Sequence, residues 1–186
     1  QSVTIEGTRN VLEAAARDGV PRFLHVSSDA VYAHRYLGKR MAEDSPLETR
    51  FAWWDYYRRS KLAAERLAWR YHGEGRLAVA ALRPGVVLGE RDRATVPGVV
   101  AFLRSKGAMY LGSGRNRLPY VYAGDVADAC LLAASDDNAA GEAYNVVSPE
   151  KVTQRDLFAS VAGESGLALP KRAMPIPIIY GFALAM

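Results

Sequence analysis

Cysteine, histidine and long apolar runs are all scarce in this chain. Each scarcity argues against one structural feature: an internal disulfide, a metal site or a transmembrane helix. A single cysteine, Cys130, cannot close an internal disulfide, which is typical of proteins in a reducing compartment such as the cytoplasm. The three histidines lack the spacing of metal ligands. No apolar run reaches the roughly 18 residues that a transmembrane helix needs. We therefore expect a cytoplasmic protein with no metal site and no integral membrane span.

The charged residues are balanced and dispersed. Lysine and arginine together number 24 and aspartate and glutamate 20, which gives a formal net charge of +4. Short basic pairs such as Arg58-Arg59 occur, but there is no basic tract of the kind that binds nucleic acid. Apolar residues make up 49% of the chain, an ordinary value for a globular protein. These values favour a small-molecule substrate and no nucleic-acid partner.

Apolar periodicity predicts alternating helices and strands. The predicted helices cover residues 2–18, 56–72, 96–106, 124–135 and 153–163, and the predicted strands cover 22–27, 77–84, 120–122 and 143–147. Residues 33–55 are polar, aromatic and irregular, which is typical of a loop or lid. Strands separated by helices predict an α/β fold with a parallel sheet and crossover helices.

Small polar residues follow two of the predicted strands. Ser27 and Ser28 end the first strand, and Pro84-Gly85 ends the second. Such sheets bind ligands beyond the carboxyl ends of their strands. Tyr57 opens the helix between these two strands, so we expect it to lie near the serines at one edge of the sheet.

Tyr57 and Lys61 are four residues apart and would share one face of that helix. At about 4 Å and an effective dielectric constant near 20, unit charges interact by roughly 4 kcal/mol. That interaction would lower the tyrosine pKa by about three units, toward 7, where the phenol can transfer protons. The pair alone is a weak signal, because the chain has 10 tyrosines and an exposed lysine beside a half-buried tyrosine is common.

Several segments carry a family resemblance in the family's own order. They are the helix at 5–15, the strand and turn at 23–32, the run Tyr57-Arg58-Arg59-Ser60-Lys61 that opens the helix at 57–65, and the segments at 82–89, 121–129 and 141–146. The chain resembles the extended short-chain dehydrogenase/reductase family. That family includes NAD(P)-dependent epimerases and dehydratases and the 3β-hydroxysteroid dehydrogenases.

The resemblance implies a Rossmann-like, doubly wound parallel sheet with a small C-terminal substrate-binding region. Residues 1–92 would form the second half of the dinucleotide-binding domain. Residues 93–186 would form the substrate-binding region, with a strand near 143–147 that returns to the sheet. The family's glycine-rich phosphate loop and its first strands have no counterpart here. We therefore expect the chain to be the C-terminal part of a longer protein.

The family's roles carry over by position. Ser28 would hold the substrate oxygen, Tyr57 would act as acid and base, and Lys61 would tune Tyr57 and bind the nicotinamide ribose. The resemblance implies NAD or NADP as the cofactor, with contacts from Ser27, Tyr57, Lys61, Pro84, Val86 and Val87. It also implies a possible homodimer through the helices at 2–18 and 57–72.

Departures from the family pattern favour one branch of it. Ala30 stands where the dehydratases have a glutamate, and Leu118 stands where many nucleotide-sugar enzymes have an arginine. The expected function is therefore hydride transfer between the cofactor and a secondary alcohol or ketone, with an apolar, hydroxysteroid-like substrate favoured. Trp53, Trp54 and Tyr56, together with the apolar run at 176–186, would suit such a substrate, although the aromatic residues could equally be lid core.

Two other functions stay open. A nucleotide-sugar epimerase would return the hydride to the other face of the substrate without net oxidation. A non-catalytic, dinucleotide-sensing protein could use the same fold, because a fold does not dictate a function. The sequence leaves the substrate, the choice between NAD and NADP, the direction of reaction and the oligomeric state undetermined.

Overall fold

The computed structural model describes residues 2–33 and 40–178, which fall in two compact units. The first unit contains residues 2–33, 40–87 and 123–147, and the second contains 88–122 and 148–178. The predicted lid over 33–55 lies outside the described residues at 34–39, and the apolar C-terminal run lies outside them from 179 onward. Among the described residues, no helix is long and apolar enough to cross a membrane.

The first unit is a three-stranded parallel sheet with helices on both faces. Its elements are α1 (Ser2–Arg17), β1 (Arg22–Val26), α2 (Tyr56–Gly73), β2 (Ala78–Pro84), α4 (Ala123–Ser135) and β6 (Ala143–Val146). The short strand β3 (Val86–Leu88) follows Gly85, and the division into units falls within it, after Val87. The strand order of the sheet is β1–β2–β6, with Leu24 opposite Ala80 and Leu82 opposite Tyr144. The predicted α/β fold with a doubly wound parallel sheet is confirmed.

Helices α1 and α2 pack on one face of the sheet through an apolar cluster. Leu12 of α1, Leu67 and Tyr71 of α2, and Val79 of β2 are all buried in it. Successive side chains of a strand point to opposite faces, so Ala80 faces the other side. There, Ala133 of α4 helps to line a small cavity of about 50 Å³ with Ala80. Apolar residues on both sides of β2 explain why this strand reads as a continuous apolar run.

The second unit has its own apolar core. Its elements are α3 (Thr95–Arg104), β4 (Tyr110–Leu111), β5 (Tyr120–Tyr122), α5 (Gln154–Ser165) and β7 (Ala173–Met174), and β4 pairs with β7 in parallel. Phe158 of α5 stacks on Tyr110 with ring centroids 5.6 Å apart, and Leu103, Leu157 and Val161 surround the two rings. The two-residue strands β4 and β7 are absent from the sequence prediction, because such short segments leave no period to detect.

The units divide the chain differently from the sequence-based boundary. That boundary lay after residue 92, whereas the first unit also includes 123–147. The reason is that α4 packs against β1 and β2, and β6 pairs with β2 as the predicted returning strand. The predicted domain boundary after residue 92 stays a prediction.

Candidate active site

The two serines lie fixed at the carboxyl end of β1. The Ser27 N–H donates to the Leu82 carbonyl at 2.7 Å, which continues the β1–β2 pairing for one more residue. Ser28 then caps a short 3-10 helix over Asp29–Val31, and its Oγ accepts a hydrogen bond from the Ala30 N–H at 3.2 Å. Both serine side chains are buried. The sheet edge therefore presents them in one defined position.

Arg58 joins the first turn of α2 to the loop at residues 27–33, the serine loop, which carries Ser27 and Ser28. Its Nε donates to the Ala30 carbonyl at 2.7 Å, and its Nη2 donates to the Tyr32 carbonyl at 2.6 Å. The same guanidinium forms an ion pair with Asp55, the N-cap of α2, at 3.1 Å. Because Arg58 follows Tyr57 directly, the turn that carries Tyr57 is held beside the loop that carries Ser28.

Tyr57 and Lys61 occupy successive turns of α2. The Tyr57 side chain is 58% exposed, so its phenol is accessible to a ligand. The Lys61 Nζ donates to the Val26 carbonyl at 3.1 Å, one residue before the serine pair. The structure thus brings Lys61 to the end of β1, and their four-residue spacing puts both side chains on one face of the helix. Electrostatic tuning of Tyr57 by Lys61 stays a prediction.

Pro84, Val86 and Val87 follow the central strand at the same edge. Pro84 pairs with Val146 of β6, and the next N–H, that of Gly85, donates to the Val146 carbonyl at 3.1 Å. Val86 and Val87 are partly exposed. These residues therefore provide an apolar surface near the serines, and their contact with a nicotinamide ring stays a prediction.

A buried carboxylate was missed by the sequence prediction. Glu65 is fully buried on α2 and accepts hydrogen bonds from Ser27 Oγ, from Arg83 Nη2 at 2.6 Å and from Trp69 Nε1 at 3.2 Å. Burial pushes the Glu65 pKa up, but the bonds from Arg83, Ser27 and Trp69 and the charge of Arg83 outweigh it. The net pKa lies below the usual glutamate range, so the group is ionised.

The signal for this pair was present in the sequence. Arg83 is a charged residue at the end of an otherwise apolar strand, and Glu65 lies three residues after Leu62 and three before Ala68, within the apolar stripe of α2. An opposite pair of charges inside two apolar patterns indicates a buried ion pair. Spacing alone does not reveal that the two residues meet, since they are 18 residues apart.

His25 is a second buried polar group that the prediction left without a role. It lies on β1 two residues before Ser27, and within the described part of the chain its Nε2 has no hydrogen-bond partner. Burial lowers the His25 pKa to about 4, against the charge of Glu65, which raises it, and with that of Lys61, which lowers it. The imidazole is therefore neutral near pH 7.

This arrangement can now be compared with known proteins. The family model for the NAD dependent epimerase/dehydratase family matches residues 1–147. The chain belongs to that family. The match covers both serines, Tyr57, Lys61 and the segment after β2, which is the part of the chain where the polar groups gather.

The chain is similar in sequence to proteins with different activities. The chain is 28% identical over 178 residues to N-acetyl-alpha-D-glucosaminyl-diphospho-ditrans,octacis-undecaprenol 4-epimerase of Escherichia coli O157:H7, and the match covers 95% of this chain and 52% of that protein. It is also 28% identical over 194 residues to 3beta-hydroxysteroid-dehydrogenase/decarboxylase isoform 2 of Arabidopsis thaliana, and the match covers 98% of this chain and 34% of that protein. The chain spans about half or less of the length of these relatives.

Solved structures agree on the fold. The UDP-glucose 4-epimerase of Thermus thermophilus in complex with NAD is 31% identical, with a TM-score of 0.69, and the match covers 93% of this chain and 57% of that one. The UDP-glucuronic acid 4-epimerase of Bacillus cereus is 22% identical with a TM-score of 0.74, and the match covers 94% of this chain and 55% of that one, which supports the fold alone.

Proposed function

We propose that the protein containing this chain is an NAD(P)-dependent oxidoreductase that transfers a hydride between the nicotinamide and a secondary alcohol or ketone. Family membership supports this proposal. The observation that carries it is that Lys61 meets the end of β1 while Arg58 holds the turn of Tyr57 against the serine loop. Proton transfer, oxygen binding and ribose binding thus have candidate groups at one sheet edge.

The residues at this edge fit a bound dinucleotide. The Lys61 ammonium carries three N–H groups; one bonds to the Val26 carbonyl at the end of β1, and the others would donate to a ribose hydroxyl. When bound, the dinucleotide supplies or accepts the hydride. Tyr57 would give the proton to the substrate oxygen or take it, and the Ser28 hydroxyl would hold that oxygen. Ser27, Pro84, Val86 and Val87 would shape the cofactor side.

An apolar substrate of the hydroxysteroid type is the favoured class. Trp53 and Trp54 stand just before α2, 71% and 44% exposed, and their rings pack edge to face. Tyr56 beside them is 51% exposed. Exposed aromatic groups next to the candidate acid/base give an apolar ligand a surface to bury. The substrate, the choice between NAD and NADP, a homodimer and a cytoplasmic location stay predictions.

A matched pair of tyrosines tests the assignment. In the full-length protein, Tyr57→Phe should lower turnover of an identified alcohol by about 10²–10⁴-fold, because general acid–base catalysis contributes about that much. Tyr56→Phe is the control, because it keeps the aromatic ring that would contact an apolar substrate and removes only a hydroxyl group, about as exposed as that of Tyr57, to which no catalytic role is assigned. Steady-state rates of NAD(P)H formation measure both variants. Unchanged turnover in Tyr57→Phe would overturn the role of Tyr57.

A nucleotide-sugar epimerase is the second candidate, favoured by the similarity to the Thermus thermophilus enzyme. The same residues would then act on a sugar hydroxyl, and the hydride would return to the opposite face of the substrate. Product analysis separates the two: net NAD(P)H formation supports a dehydrogenase, whereas inversion at C4 without net NAD(P)H supports an epimerase. Dinucleotide binding without turnover across a broad alcohol panel would instead favour a sensing protein.

A further inference from the structure

Arg83 bonds to several separate segments of the candidate site at once. Besides its ion pair with Glu65, its Nη1 donates to the Tyr32 hydroxyl at 2.9 Å and to the Glu43 carbonyl at 3.0 Å. The Tyr32 hydroxyl in turn donates to Asn145 Oδ1 at 2.7 Å. One guanidinium therefore joins α2, the serine loop, the segment around Glu43 and the strand β6.

Further bonds fasten the segment around Glu43 to the same edge. The Asn145 N–H donates to Glu43 Oε1 at 2.9 Å, and the Ala33 N–H donates to the Pro46 carbonyl at 2.9 Å. The Glu48 N–H donates to the Val31 carbonyl at 2.9 Å. Hydrogen bonds around Arg83 thus join two segments. They are the serine loop, residues 27–33, and residues 43–48, which we call its covering segment.

Burial alone does not explain this arrangement. Apolar side chains of similar volume in place of a buried ion pair often preserve stability or increase it. Apolar side chains cannot, however, fix the direction of the Ser27 and Tyr32 hydroxyls, each of which bonds the Glu65–Arg83 pair. A buried network in which every polar group is bonded favours one geometry. Here that network fixes the conformation of the loop that carries Ser28.

We propose that Glu65 and Arg83 are positioning residues that act as one unit: they hold the serine loop and its covering segment in register with α2, and so set Ser28 against Tyr57. This inference rests on the proposed function, because it assigns the pair to the site that would carry the reaction. Neither side chain is required to touch the substrate or the cofactor.

The test uses Glu65→Leu/Arg83→Met in the full-length protein, since this double variant removes both charges and leaves no unpaired one. Hydrogen exchange measured by mass spectrometry should be about tenfold or more faster in peptides covering 27–33 and 43–48, and unchanged in peptides covering α1. With an identified substrate, kcat should fall by about 10²-fold, because small misplacements of reacting groups cost that much, while KM changes little.

Arg83→Lys provides a second variant if the double variant does not fold. Lysine keeps a positive charge beside Glu65 but cannot reproduce the guanidinium's bonds to Tyr32 and to the Glu43 carbonyl together, so exchange in both peptides should rise by a smaller factor. The control is Arg22→Gln/Asp137→Asn, which breaks an ion pair at the opposite, amino end of β1. It should leave exchange at 27–33 and kcat as they are.

The outcomes separate this inference from the proposed function. Slow exchange that persists at 27–33 and 43–48 in the folded variants would overturn the positioning role, and so would fast exchange with unchanged kcat. A wild-type protein that binds no dinucleotide and converts no alcohol or sugar would overturn the proposed function instead. The exchange rates would then decide alone whether the pair holds the two segments.

Discussion

The two compact units bury different kinds of side chain. The first encloses several charged or polar groups, among them Glu65, Arg83, Arg58 and His25. In the described part of the second, Gln154 is the one buried polar side chain, and the core is formed by aromatic and aliphatic residues. The geometry of the first unit's interior therefore depends on hydrogen bonds and charge. The geometry of the second unit's interior depends on apolar packing.

The difference teaches where function is to be sought. A buried charge costs free energy unless it is paired and hydrogen-bonded, and a paired charge fixes the direction of the groups that bond to it. The paired charges of the first unit surround the end of β1, where the candidate site lies. The second unit has its charged groups at helix ends and on its surface, where they stabilise termini. The following predictions test this contrast, from the largest effect to the smallest.

Removing one member of the buried pair should have the largest effect. Arg83→Met leaves the fully buried Glu65 carboxylate without its cation and should lower the free energy of unfolding by about 3–5 kcal/mol. The double variant Glu65→Leu/Arg83→Met should recover most of that loss. Urea unfolding of the full-length protein at pH 7 measures both. A double variant as unstable as the single one would contradict the view that charge pairing, rather than packing, dominates here.

The first unit should also lose stability as the pH falls from 7 to 5. The His25 pKa is lowered to about 4 in the folded state, so the unfolded chain binds the proton first and acid favours unfolding. With an unfolded pKa near 6.5, the loss at pH 5 is about 2 kcal/mol. The depressed pKa of Glu65 adds its own loss only below its unfolded value, so it contributes little in this window.

His25→Leu should abolish most of this pH dependence, as measured by urea unfolding at pH 7 and pH 5. Leu62→Ala is the control: it removes buried apolar contacts from the same unit and should lower stability by about 2–5 kcal/mol equally at both pH values. If wild type and His25→Leu lose the same stability between pH 7 and pH 5, the buried histidine does not carry the effect.

The sequence predicted the fold better than the polar interior. Helix α2 and strand β2 follow from apolar periodicity. The positions of Ser27, Ser28 and Tyr57 at strand and helix ends are also readable from the sequence, whereas the choice of Ser28 and the roles of Tyr57 and Lys61 come from the family resemblance and stay predictions. The Glu65–Arg83 pair forms between residues distant in the sequence, and local spacing is insensitive to such tertiary contacts. Arg58 illustrates the same limit, because beside Tyr57 it reads as a surface arginine, whereas its guanidinium is buried on two loop carbonyls.

The smallest effect should come from the second unit, at the start of α5. Thr153 caps this helix: the Asp156 N–H donates to Thr153 Oγ1 at 3.2 Å, and the Thr153 N–H donates to Asp156 Oδ2 at 2.8 Å. The helix predicted to begin at residue 153 thus starts with a capping box. Thr153→Ala should cost about 1 kcal/mol, as measured by urea unfolding and by faster exchange in peptides covering α5.

The loss of unfolding free energy caused by Thr153→Ala should be the same at pH 7 and pH 5. The loss that arises from His25, in contrast, should appear only as the pH falls. The hydrogen bonds from Thr153 hold the Asp156 pKa below its usual range, so the carboxylate stays ionised throughout that window. Ser160→Ala, at an exposed position inside the same helix, is the control and should be neutral or slightly stabilising, because alanine is the better helix former. A cost at Ser160 equal to that at Thr153 would show that the loss does not come from the cap. A Thr153→Ala loss that changes between pH 7 and pH 5 would show that the second unit too depends on charge, and the contrast between the units would fail.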